Sequence, residues 1–134
     1  MPVKLHLNVS LFLLFFISLN SEISPVVAQE LIAHSAEEKK VLELVVALPE
    51  VKQRAREIKA LSHGKVQITL MVSAAPDLSI PFYQINVNDN SPTYNNYYQF
   101  AVDPKTYKIY YFDAKANRQY SLEEWRKKRK SLKY

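Results

Sequence analysis

Few side chains in this 134-residue sequence are equipped for chemistry, and the spacing of most of them has a structural explanation. Glu37-Glu38 and Glu123-Glu124 resemble paired carboxylates for acid–base work. Ser35, however, stands three residues before Glu38, and Ser121 three before Glu124, which is capping-box spacing. Each pair therefore reads as a helix start, where carboxylates meet the positive end of the helix dipole. His34 and His63 are far apart, and neither belongs to a ligand-spaced cluster such as His-Glu-x-x-His. Cysteine is absent and glycine occurs once, at Gly64. That excludes disulfides, a lipid-modified cysteine, thiolate catalysis and a glycine-rich phosphate loop. The expectation is a non-enzyme that needs no cofactor and no metal.

Aromatic and basic side chains remain. There are nine tyrosines and a single tryptophan, with most of the tyrosines between residues 83 and 120. Tyrosines on an exposed sheet give large contact area at low entropy cost, although strands also favour them as wall material. Alternation sorts them into two sets. Tyr83, Tyr98 and Tyr111 share parity with Ile85, Phe100 and Ile109 and are expected to face inward. Tyr97 and Tyr110 are expected on the opposite face, and Tyr107 is expected to be exposed beside a turn. The formal net charge of +5 is concentrated in "RKKRKSLK", residues 126–133, and the rest is nearly neutral. Such a tail suits nucleic acid, anionic lipid or an acidic protein. The expected contact residues are Tyr97, Tyr107, Tyr110 and Trp125, with Arg126 and Lys127 steering an acidic partner.

These side chains need elements to position them. The capping box at Ser35 predicts a helix from about Ala36, with Val41, Leu42, Val45, Val46 and Leu48 on its apolar face. Pro49 ends that helix or opens a second one, in which Val51, Ala55, Ile58 and Leu61 recur at helical spacing. Gly64 is the natural stop. Four alternating segments follow: "KVQITLMV", "FYQINVND", "NYYQFAVD" and "YKIYYF". "YNNYYQ", at the start of the third, reads in either register. Asp103-Pro104-Lys105-Thr106 suits a type I turn between the last two strands. Ser121 and Glu124 then start a short helix, with Leu122 and Trp125 on one face. The predicted fold is α+β: N-terminal helices on one face of a four-stranded antiparallel sheet, closed by a short C-terminal helix.

The first segment has a different character. Lys4, an apolar run from Leu11 to Leu19, and Val26-Val27-Ala28 form the three parts of a secretory signal peptide. The run is about half the ~20 residues of a spanning helix. Cleavage after Ala28 would leave residues 29–134 as one exported domain, periplasmic or secreted, and export argues against a nucleic-acid partner. The missing cysteines favour a bacterial envelope over an animal secretory setting.

With the hairpin in place, a resemblance emerges. "YYQFAVDPKTYKIYYFD" after a helix resembles the PepSY domain, a small exported α+β module of thermolysin-type peptidase propeptides and bacterial envelope proteins. That family has a strand, an Asp-x-x-Thr-Gly turn and a second strand. Asp103, Pro104, Lys105 and Thr106 match the turn, and Tyr107 stands where glycine is usual. The similarity covers roughly residues 36 to 113. It implies a protein- or peptide-binding module, of the kind that inhibits peptidases, and brings no catalytic residues. A cystatin-like inhibitor shares the layout, but its Gln-x-Val-x-Gly loop is missing. An alternative of another class is a peripheral envelope protein docking on anionic lipid, since each Lys or Arg near such a surface contributes about 1 kcal/mol.

Overall fold

A computed structural model describes residues 29–132; the expected signal peptide lies outside them. The order is β1 (Gln29–Ile32), α1 (Ala36–Val46), α2 (Pro49–Leu61), β2 (Ile68–Ala74), β3 (Tyr83–Asp89), β4 (Asn96–Val102), β5 (Ile109–Asp113), β6 (Arg118–Ser121) and α3 (Leu122–Ser131). Among the described residues, no helix is long and apolar enough to cross a membrane.

The helices begin and end for local reasons. Ser35 caps α1 by accepting from the backbone N–H of Glu38. The return arm differs from a full capping box: Glu38 accepts from the backbone N–H of His34. Pro49 is the first residue of α2, where its missing N–H costs nothing. Gly64, at φ +78°, donates its N–H to the carbonyl of Lys59 and stops that helix. At α3 both arms of the Ser121–Glu124 box are present.

The α+β class is as expected, but the sheet is larger and mixed. It has six strands in the order β1-β2-β3-β4-β5-β6. The four expected strands are β2 to β5, antiparallel throughout. β1 adds a parallel edge to β2, with α1 and α2 as the crossover that parallel pairing needs. β6 adds an antiparallel edge to β5. Both additions are only four residues long, too short for alternation to separate them from loop.

All three helices cover the same face. Val41, Leu42 and Val45 of α1, Val51 and Ala55 of α2, and Trp125 of α3 are buried in one core. That core also holds Ile68, Leu70, Ile85, Val87, Phe100 and Val102 from the strands. Among the described residues, the opposite face carries no helix.

Candidate functional site

Tyr97 departs from its expected position. The β3–β4 register shifts between Val87 and Asn88, so that Tyr98 opposes Val87 and Asn96 opposes Asn88. Tyr97 is the extra residue of this bulge, and a bulge redirects a side chain. Its ring lies on the helix-covered side, 5.3 Å from the Arg54 guanidinium of α2. Its hydroxyl donates to Asp89 at 2.5 Å. Asp89, only 2% exposed, also accepts from the backbone N–H and hydroxyl of Ser91 and from the backbone and side-chain amides of Asn95. Burial would raise the Asp89 carboxyl, but the donors from Ser91, Tyr97 and Asn95 outweigh it and hold the group well below the usual carboxylate range. Burial, then the Asp89 hydrogen bond and charge, push the Tyr97 phenol up to about 12. Tyr97 therefore locks a turn, and the expectation of an exposed contact ring is corrected.

Trp125 is corrected likewise. Trp125 is 5% exposed, stacks on Tyr111 with centroids 4.6 Å apart, and meets Tyr98 and Phe100 edge-on at 5.6 Å. It is the anchor of α3, consistent with its expected pairing with Leu122 and not with a free contact role. Arg126 is committed to Glu50 of α2, Nε to Oε1 at 2.6 Å and Nη2 to Oε2 at 3.1 Å. Burial opposes ionisation of Glu50, yet the Arg126 hydrogen bond and charge keep its carboxyl below the usual range. Lys127 is exposed and pairs with Glu123 one turn back, at 2.9 Å. Tyr107 is half-buried, with Lys40 Nζ 3.9 Å from its ring centroid.

Tyr110 is on the helix-free face, as parity predicts. Its ring makes a T-shaped contact with Phe82 at 5.8 Å, and Lys108 Nζ lies 5.2 Å from its centroid. Phe112 shares its face two residues on, and Ala101, the β4 partner of Tyr110, is buried although no helix among the described residues covers it. Across the sheet a second apolar group gathers where Ile32 pairs with Met71 and Tyr94 donates its hydroxyl to the Met71 sulphur. Between the two groups run Asn86 and Gln99, paired in register and hydrogen-bonded at 3.2 Å. Among the described strand residues on this face, Glu30 at the β1 edge is the charged one. The face is therefore a neutral strip of amides between two patches of rings and apolar side chains.

Sequence reasoning passed over Phe82, Met71, Tyr94 and Asp89. Tyr94 lies outside the strands, where parity is silent, and Phe82 opens the segment "FYQINVND" one residue before β3 begins. Asp89 carried a readable sign, since Asp-Asn-Ser-Pro is turn chemistry. No group of three or more metal-ligating side chains occurs among the described residues. No family model, curated protein or solved structure matches this chain.

Proposed function

We propose that this chain is an exported, PepSY-like, non-catalytic module that binds another protein or peptide on the helix-free face of its sheet. The observation that carries this is the chemistry of that face. The face of an antiparallel sheet that meets water usually carries polar side chains throughout. This one presents Phe82, Tyr110 and Phe112 beside Asn86, Gln99 and Gln84, close to the tyrosine-and-amide composition of adaptable recognition surfaces. The buried ionisable side chains support a binding role over a catalytic one, because Asp89 and Glu50 are saturated by structural partners. The PepSY-like reading is supported by Tyr107, which adopts φ +57° at the position where that family has glycine. The open face is two-sided in apolar content, and a partner of peptide length can span both patches along the amide strip.

The test is capture from envelope and secreted fractions on tagged residues 29–134, washed at about 0.5 M salt, where screening reaches only a few ångströms. The wild type should hold a partner that the F82S/Y110S/F112S variant releases while still unfolding cooperatively. Equal retention by both proteins overturns the reading. A second reading, docking on anionic lipid, is favoured by the outer side of α3, where Lys127, Lys130 and Leu132 are exposed. Vesicle binding that survives the triple variant but not a K127Q/K130Q variant, which leaves the buried Trp125 in place, would select it.

A further inference from the structure

On the helix-covered side, α2, α3 and the inner surface of β4 to β6 line a half-open cavity of about 320 Å³, within the range of small-molecule sites. Its apolar wall is made by the rings of Tyr98, Tyr111 and Trp125, and its polar wall by Arg54, Lys128 and Arg129. Three cations face one carboxylate, Asp113, and that carboxylate is turned to its own loop, accepting from the backbone N–H groups of Lys115 and Ala116. Arg129 makes no ion pair among the described residues; its guanidinium rests 4.7 Å from the Trp125 centroid and 5.7 Å from that of Tyr98. Lys128 is held by the Tyr120 hydroxyl at 3.0 Å, again without a carboxylate. Arg54 bonds Glu57 through Nη1, but its Nε is shielded from water and has no hydrogen-bond partner among the described residues. A shielded, unpaired donor is uncommon, and it marks Arg54 as the least satisfied of the three cations.

We infer that this cavity binds a carboxylate attached to a flat apolar group. A guanidinium pair or a guanidinium with an ammonium recognises a carboxylate by charge-assisted hydrogen bonds. The half-buried ring of Tyr111 and the exposed side chain of Leu132 offer an apolar body a contact surface beside those cations. Two sources carry this chemistry: a free aryl acid, or the C-terminal aromatic residue of a peptide. The site lies on the face opposite the proposed protein-binding surface and stands or falls separately from it.

Trp125 is the single tryptophan of the chain, so its fluorescence reports this wall alone. Titration of residues 29–134 with phenylacetate and with N-acetyl-L-phenylalanine should give a saturable change, with a midpoint below about 1 mM for the better acid, as expected for a ligand of that size. Tighter binding of phenylacetate indicates a free acid, and tighter binding of N-acetyl-L-phenylalanine a peptide terminus. N-acetyl-L-phenylalaninamide, which lacks the charge, should bind at least tenfold more weakly. R129Q and K128Q should each weaken the acids about tenfold, and K65Q, on a distant exposed loop, should not. Near-ultraviolet circular dichroism checks that the variants keep the packed indole, and K128Q stands in if R129Q does not. No saturable change with either acid, or equal binding of acid and amide, overturns the inference. A change produced only by phosphatidylglycerol vesicles also overturns it and assigns these cations to lipid.

Discussion

At the residue scale, the Asp89 cluster shows how much a single carboxylate can organise. Asp89 sits at the end of β3 with five donors around it, from Ser91, Asn95 and Tyr97. Hydrogen bonds to a charged acceptor are worth more than neutral ones, so D89N should cost about 2 kcal/mol at neutral pH. The pH dependence follows from the direction of the shift. The folded carboxyl is held below its unfolded value of about 3.9, so its contribution is fully present above that value and is lost as pH falls through the folded one. The gap between wild type and D89N in urea denaturation should therefore narrow by about 1 kcal/mol between pH 7 and pH 3. A gap of equal size at both would show that shape and not charge holds the turn. Tyr97 sets the alkaline limit: its phenol is raised to about 12, so its contribution persists below pH 10 and is lost as pH rises from there through 12.

At the element scale, the two hairpins β4–β5 and β5–β6 repeat one design. Asp103 accepts from the backbone N–H groups of Lys105 and Thr106, and Asp113 from those of Lys115 and Ala116. The residue four after each aspartate is left-handed, Tyr107 at φ +57° and Asn117 at φ +46°. Asparagine adopts that conformation readily, whereas tyrosine incurs steric cost. Y107A and Y107G both remove the ring and its Lys40 contact, and only alanine keeps the cost, so Y107G should be more stable than Y107A by about 1 kcal/mol in urea midpoints. Equal stabilities would place the whole effect of Tyr107 in its ring. The elements also show what the sequence discloses and what it withholds. Both capped helices, the Pro49 start, the Gly64 stop and the four long strands were legible, because each rests on local chemistry within a few residues. The bulge at Tyr97 was not: "YNNYYQ" fits either register, and the choice is made by Asp89 across the turn and by Arg54, distant in sequence. The shared face of Leu122 and Trp125 was legible from their spacing, but the covering of the indole by Arg129 was not, since charge alone does not place a guanidinium over a ring.

At the scale of the whole molecule, both sheet edges are four residues long, and such short edges limit pairing with other chains. β6 runs directly into α3, which folds back and fixes it through Tyr120 and Trp125 in the core. β1 has less to hold it: Leu31 packs on the core from the side and Ile32 is 37% exposed. Its role is to cover β2, whose segment "ITLMVSA" is uncharged, free of proline and rich in strand-forming residues. With β1 gone, β2 becomes a seven-residue edge with unpaired backbone groups, the kind of template that recruits other strands. A chain beginning at Ala33 should therefore associate as its concentration rises, whereas residues 29–134 should elute at one size over the same range in size-exclusion chromatography with light scattering. Introducing a lysine at Met71, on the open face of β2, should suppress that association without restoring β1, because a charge in the edge blocks stacking and pairing of strands. A shortened chain that stays at one size and unfolds like the full one would mean that β2 needs no cover, and that the parallel strand contributes nothing beyond its own four residues.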